Sequence, residues 1–333
     1  MFERLFIEKE LLEHPRAIAI REKFKHLEQI EIDRYDQIWG RAHRPYLEKR
    51  KHLQIFLAKK RGTLIKEAPD AYGKAGAPHY YFVHAYNCIY ECEYCYLQGH
   101  FSTPDLVFFL NHEDILEEMQ TIVDDFKGEE IWFHAGEFSD SLAMSHITGE
   151  LPLYFDFFKK NLNAKLELRT KSVNIKELLQ IPAQENVICS FSLSPKEVAK
   201  KIDRGVPSVK SRLLAISKIT QQGHPIAIHL DPITYGRDFE TEYAELLSEI
   251  SEAIPLEKIK YISLGVVRFT KNVYHQTQVN YPDSLIHKFP MSKSFDGKIR
   301  YKKPLRRWML TKLKTLCLEL GIKDESVYYC MED

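Results

Sequence analysis

The sequence has no surplus of either charge. Its 333 residues include 47 basic and 47 acidic ones, so no global field draws the chain onto nucleic acid. Any such binding has to come from a local patch. No apolar run approaches the ~18 residues of a membrane span, and the opening MFERLFIEKELLEH is charged throughout, unlike a secretory leader. A cytoplasmic chain without membrane contact is the expectation. There is no internal repeat and no low-complexity tract. Cysteine is scarce at six, yet three of the six fall within eight residues. In a reducing compartment such clustering points to metal ligation or catalysis rather than disulfides.

What is present divides into three stretches. Residues 1–75 are rich in charge and helix formers, with Gly62, Gly73 and Gly76 marking a boundary loop. They predict a mostly helical N-terminal extension. Within it, Arg41, Arg44, Lys49, Arg50, Lys51, Lys59, Lys60, Arg61 and Lys66 face only one acid, Glu48. A solvated helix face is the plainer reading and a polyanion contact the alternative. Residues 76–280 alternate β-branched and aromatic runs with amphipathic helical stretches. The predicted strands are 79–86, 130–135, 165–170, 186–193, 225–232 and 260–267, and LVFFL at 106–110 adds a further strand, read as a hairpin arm beside the first unit. Six strand–helix units in a row predict a parallel α/β domain, open sheet or barrel, with ligands at the carboxyl ends of the strands. Residues 281–333 predict a hairpin, a helix and a closing strand.

The segment NCIYECEYCYLQG follows the first of these strands and reads Cys88-x3-Cys92-x2-Cys95. Soft thiolates suit an iron–sulfur cluster, and three protein ligands leave one iron open to an external chelating group. Zinc competes, with His84 or His100 as fourth ligand, but there is no second cysteine pair of the usual spacing.

This spacing, with an aromatic residue before the last cysteine, resembles the signature of radical S-adenosylmethionine (SAM) enzymes. The resemblance implies a 4Fe–4S cluster on Cys88, Cys92 and Cys95 whose open iron binds SAM. It also implies a partial (β/α)6 TIM-type barrel and a reductant such as flavodoxin or ferredoxin. The longer string CEYCYLQ, with LRTKSVNI (168–175), SFSLS (190–194), the stretch 225–247 and VVRFTK (266–271), resembles the spore photoproduct lyase family. Members of that family revert a thymine dimer in DNA. The match implies SAM contacts from Ser139, Lys171 and Ser192, and hydrogen-atom relay by Tyr96 with Tyr94 as its partner. Ser194 is either a further contact or the N-cap of a helix beginning at Lys196. In KFPMSKSFDGKIRYKK (288–303), where Asp296-Gly297 is a hairpin signal, the resemblance implies a hairpin that meets nucleic acid. Lys298, Arg300, Tyr301 and Lys302 are its candidate contacts. From Lys298 to Lys314 eight residues are basic and none acidic.

The pattern breaks at one position. The family's cysteine after the second strand, a hydrogen-atom donor, is matched here by Glu137. A Gly136-Glu137 pair in that place resembles the motif with which many radical SAM enzymes hold the amino group of SAM. Of the other cysteines, the parity of Cys189 and the apolar helix stripe around Cys317 predict core positions. Cys330 is the remaining thiol that the C-terminus could bring to the barrel mouth. The expectation is a radical SAM enzyme acting on a nucleic acid or nucleotide. A small molecule or peptide as substrate, or a metal-bearing nucleic-acid-binding protein without catalysis, are the alternatives.

Overall fold

A computed structural model describes residues 2–41, 45–69, 72–73 and 76–332. The chain opens with β1 (Phe2–Glu8), β2 (Glu28–Ile32) and β3 (Leu53–Ala58), which pair in parallel with β1 in the middle. Then come β4 (Ile65–Glu67), β5 (His79–Phe82), β6 (Ala85–Tyr86), β7 (Glu91–Cys92) and β8 (Leu106–Phe109). The main sheet continues with β9 (Ile131–Ala135), β10 (Ala164–Thr170), β11 (Val187–Ser192), the two-residue β12 (Asp203–Arg204), β13 (Ile226–Ile233) and β14 (Ile259–Val266). The chain ends with β15 (Arg268–Phe269), β16 (Met291–Lys293), β17 (Ile299–Tyr301), a helix over Lys303–Glu319 and β18 (Val327–Tyr329).

Two sheets organise these elements. The larger runs β18-β14-β13-β11-β10-β9-β5-β4, with every pair parallel except β4–β5. All six predicted units are in it, and the sheet curls into a half-barrel. Its outward residues, such as Phe133, Leu166, Leu168, Cys189 and Phe191, pack under the helices in one large core. The inward residues of the same strands are largely polar, as period two requires of a strand with two different faces.

Three expectations need correction. The N-terminal extension is not mostly helical: it is built on the parallel β2-β1-β3 sheet. Its Glu, Lys and Leu are good helix formers, but the short apolar cores Leu5–Ile7 and Ile55–Ala58 are buried from both sides, and packing overrides propensity. LVFFL does lie antiparallel beside the end of the predicted first strand, at β6, but it belongs to the other sheet and not to a hairpin of the barrel. As β8 it pairs in parallel with β3 and antiparallel with β6, completing the sheet β2-β1-β3-β8-β6. The basic stretch is not one solvated helix face either, because it spans a five-residue helix (Tyr46–Arg50), β3 and β4. Lys49 is buried against Asp105 at 3.1 Å, and Arg61 pairs with the fully buried Glu8 at 2.9 Å. Arg44 lies outside the described residues.

Around Asp203 a buried charge joins barrel to cysteine loop. Arg212 donates to the Ser192 carbonyl at 2.7 Å and to Asp203 Oδ2 at 3.0 Å, with both side chains almost fully buried. Removing one partner of such a pair strands a charge in low dielectric. Arg212→Met is expected to cost about 3–5 kcal/mol in denaturant unfolding; a loss within the error of the measurement would show that the pair does not hold this joint.

Candidate active site

The chain leaves the half-barrel after β5, enters the other sheet as β6, and turns back at Asn87. That residue adopts φ 63°, and its side chain donates to the carbonyls of Thr103 and Asp105, each at 2.8 Å. The cysteine loop begins here, at the carboxyl end of the first barrel strand, where the sequence predicted a ligand. Arg50 reaches over from the N-terminal unit and donates to the carbonyls of Cys88 (2.8 Å) and Ile89 (2.7 Å). On the other side β7 pairs antiparallel with β12, and the Tyr94 hydroxyl donates to Asp203 at 2.5 Å. Cys92, within β7, is thereby tied to the barrel.

Cys88, Cys92 and Cys95 are free thiols, each half-buried. They are near enough that charge on Cys92 and Cys95 disfavours charge on Cys88. Burial is the main force pushing all three thiols up, so binding a metal has to displace their protons. Among the described residues, no three donor side chains are drawn around a common point. The donor set nevertheless suits an iron–sulfur group: three thiols on one loop, with the Tyr90 N–H 3.4 Å from Cys88 Sγ and Arg50 and Lys171 as the neighbouring cations. The two histidines considered as zinc ligands are engaged elsewhere. His84 is buried, with a hydrogen bond to the Asp140 backbone, and burial lowers its pKa to about 4. His100 stacks on Phe138, with ring centroids 5.1 Å apart.

The next strand ends converge on this loop. Gly136, after β9, has φ +86°, and a Cβ there would stand 2.6 Å from Ser141 Oγ, so only glycine fits. Glu137 follows it. Tyr72 donates its hydroxyl to Glu137 Oε2 at 2.5 Å, while the Tyr96 hydroxyl donates to the Glu137 carbonyl. Ser139 Oγ donates to the Asn87 carbonyl at 2.8 Å, tying this loop to the cysteine loop. Asp140 accepts from Thr170 Oγ1 (2.6 Å) and the Lys171 N–H (2.8 Å), which sets Lys171 at the end of β10. The Lys171 ammonium lies 5.4 Å from the Tyr94 ring centroid and makes no ion pair among the described residues. Ser192 and Ser194 are both buried at the end of β11. Ser194 does not cap the helix that follows, which begins at Lys196 on an N-cap of Pro195 without a side-chain bond. Its Oγ is buried without a partner among the described residues, an unmet polar group that a ligand would satisfy.

The hairpin forms as predicted, with β16 and β17 antiparallel, Gly297 at φ +80° and β15 on the far side of β17. Two of its four candidate contacts are corrected. Arg300 and Tyr301 are buried: Arg300 pairs with Asp296 and with Glu332, and the Tyr301 ring belongs to the main core. Neighbours on a strand face opposite sides, and here both sides of β17 are covered: Arg300 meets Asp296 and Glu332 on one, and Tyr301 enters the main core on the other. Lys302 is exposed, Lys298 half-exposed, and Phe295 at the turn is 82% exposed.

Asn87, Asp140 and Tyr72 were not singled out from the sequence, and Arg50 was named only as one member of the basic run. Asp140 sits in the same strand-end loop as Gly136 and Glu137, which was a usable signal. The other three act across long sequence separations and left none.

A curled half-barrel with a three-cysteine loop at its first strand end defines a radical SAM enzyme. The family model for spore photoproduct lyase matches residues 1–303; the chain belongs to the spore photoproduct lyase family. It is 24% identical over 286 residues to the spore photoproduct lyase of Bacillus subtilis, covering 84% of this chain and 82% of that one. Against the Clostridium acetobutylicum enzyme it is 24% identical over 294 residues, covering 87% and 85%. A solved spore photoproduct lyase complexed with dinucleoside spore photoproduct has the same fold, with a TM-score of 0.84 at 22% identity over 99% of this chain and 98% of that one. A double mutant with bound AdoMet and dinucleoside spore photoproduct also scores 0.84, at 21% identity over 100% and 99%.

Arg50 offers a test of the loop. Its planar fork spans two carbonyls, which a lysine cannot do. Anaerobic reconstitution of Arg50→Ala is expected to yield less than about half the iron and sulfide per chain of the unmodified protein, with Arg50→Lys no better. Full incorporation in both variants would remove Arg50 from the account of the loop.

Proposed function

We propose that this chain is a radical SAM enzyme acting on a lesion in nucleic acid, with Cys88, Cys92 and Cys95 holding a 4Fe–4S cluster. When bound, the cluster supplies the electron that cleaves SAM reductively to methionine and a 5′-deoxyadenosyl radical. The observation that carries the reading is the placement, on one loop and the neighbouring strand ends, of three free thiols, the Lys171 ammonium without an ion pair and the Ser194 hydroxyl without a hydrogen bond among the described residues. Lys171 would meet the SAM carboxylate, Glu137 on Gly136 its amino group, and Ser139, Ser192 and Ser194 would supply further polar contacts. Tyr96, with its hydroxyl at the Glu137 carbonyl, and Tyr94 under Lys171 would border the reacting centre. A small reductant such as flavodoxin or ferredoxin would deliver the electron in the cytoplasm. No helix among the described residues is long and apolar enough to cross a membrane.

The substrate reading rests on relatives crystallised with a dinucleoside lesion and on the hairpin, whose turn presents Phe295 beside Lys293 and Lys298. Lys298, Phe295 and Lys302 are the candidates for contact, in place of Arg300 and Tyr301. A small molecule or peptide is the second reading. It is favoured by the internal use of the basic run, where Arg306 is buried against Glu332 at 2.9 Å, Lys312 pairs with Glu240 at 2.7 Å and Lys314 with Asp324 at 2.8 Å.

A glutamate cannot return a hydrogen atom as a thiol does. Cys330 is a candidate replacement. It follows β18, its N–H donates to the Leu264 carbonyl at 2.9 Å, and its buried Sγ lies 3.5 Å from the Tyr72 carbonyl, with an Arg268 nitrogen at 4.0 Å. Its S–H would give a hydrogen atom to the product carbon radical and be left as a thiyl.

Reconstituted protein given SAM and dithionite should release 5′-deoxyadenosine, and a thymine-dimer dinucleotide should raise the yield. Lys171→Ala should abolish both. A colourless protein holding one zinc ion sinks the proposal, and an unchanged yield with every nucleic-acid lesion favours the second reading. Cys330→Ala is expected to keep 5′-deoxyadenosine release and lose repaired product; unchanged repair would exclude it as donor.

A further inference from the structure

The inner face of the half-barrel holds a charged network that the roles above leave unused. Glu167, on β10, is buried at its centre. Its Oε1 meets His229 Nε2 at 2.6 Å and accepts from the Tyr261 hydroxyl at 2.8 Å. Its Oε2 accepts from Arg169 at 3.0 Å and is paired with His134 Nδ1. His134 Nε2 in turn meets His79 Nδ1 at 2.8 Å. Five strands, β5, β9 and β10 on one side of β11 and β13 and β14 on the other, thus contribute to one cluster. Burial alone would raise the pKa of Glu167, but Arg169, His229 and His134 outweigh it and hold the carboxyl well below its usual range.

Such a network is costly. Apolar residues of the same volume fill an interior at least as stably as buried ions do, so stability alone does not account for it. Its upper edge supplies a reason. Glu167 and Arg169 are two apart on β10 and face the same side. Held by Glu167, the Arg169 guanidinium lies 5.4 Å from the ring centroid of Tyr72. The His134 ring meets the same tyrosine edge-on, with centroids 4.9 Å apart. Tyr72 comes from the boundary loop and belongs to neither sheet, so these two contacts fix where its ring sits. Its hydroxyl then donates to Glu137 Oε2 at 2.5 Å. Glu137 Oε1 has no partner among the described residues.

We propose that Tyr72 is a positioning residue for SAM, held by Glu167 through Arg169 and His134, and that it orients the Glu137 carboxylate with one oxygen occupied and the other free to accept from the SAM amino group. The inference rests on the functional reading above and deepens it. Tyr72 stays protonated, and so remains a donor, because burial and then the neighbouring Glu137 push its hydroxyl upward. A hydrogen bond to a carboxylate fixes its rotamer as well as its energy. Losing that bond is expected to be felt in SAM affinity before anything else.

The test uses protein reconstituted anaerobically with iron and sulfide. SAM affinity is measured by isothermal titration, and the electron paramagnetic resonance spectrum of the reduced cluster is recorded with and without SAM. Tyr72→Phe keeps the ring over Arg169 and removes only the hydroxyl. It is expected to weaken SAM binding about tenfold or more and to diminish the SAM-induced spectral change, with iron content and melting temperature retained. Glu167→Gln should move both readouts the same way. Tyr81→Phe is the control: its hydroxyl has no hydrogen bond among the described residues although Glu137 is close by, and it should leave both unaltered. If Tyr72→Phe binds SAM like the unmodified protein and gives the same spectral change, the inference is wrong while the radical SAM reading stands. If the unmodified protein neither binds SAM nor changes its spectrum, that reading falls, and the inference with it.

Discussion

The Arg50 guanidinium bridging the carbonyls of Cys88 and Ile89 is the contact on which the active centre depends. A loop of three thiols has no reason of its own to hold one shape, since thiols are weak hydrogen-bonding groups and their ligand is a separate molecule. Here the loop is strung between two sheets and pinned from both. Arg50 holds its start from the N-terminal unit, and Tyr94 and the β7–β12 pair hold its end against Asp203 and hence Arg212. The loop backbone is thereby held by hydrogen bonds from Arg50, from Tyr94 and from the β7–β12 pair, none of which uses a cysteine sulfur. That leaves the sulfurs with the freedom a cluster needs to assemble.

The same division runs through the half-barrel. Its outer face is an ordinary apolar core, while its inner face places the Glu167 network above a small floor of Ile188, Ala227 and Tyr261 with Trp132 and Tyr328 packed against it. The apolar outer face makes the fold stable, so the inner face is free to carry groups that are costly to bury. Glu137, Lys171 and Ser194 lie at the rim between the two, where strand ends meet the loops.

Much of this was legible in the sequence, and the boundary of legibility has a physical meaning. The six barrel strands, the cysteine loop and the Asp296-Gly297 hairpin announce themselves through local patterns of alternation, spacing or turn chemistry, and the Gly136-Glu137 pair through its resemblance to a SAM-binding motif. The N-terminal sheet did not, because its charged strands carry helix-forming residues and its pairing with β8 joins segments about fifty residues apart. The roles of Arg50, Asn87 and the Glu167 network were invisible for the same reason, since each is defined by partners distant in the chain. Arg300 and Tyr301 were misread because a basic and aromatic pair looks alike whether it faces solvent or an acid such as Glu332.

The position of β8 also says what kind of unit this protein is. The N-terminal sheet borrows β6 and β8 from the middle of the chain, so the first 75 residues and the barrel are not separable modules. Cutting them apart would bare the edge of a four-residue strand in which every side chain is buried, the kind of surface that pairs with a neighbouring molecule instead of with water. Shuffling this barrel onto another N-terminal region would therefore require a replacement sheet edge.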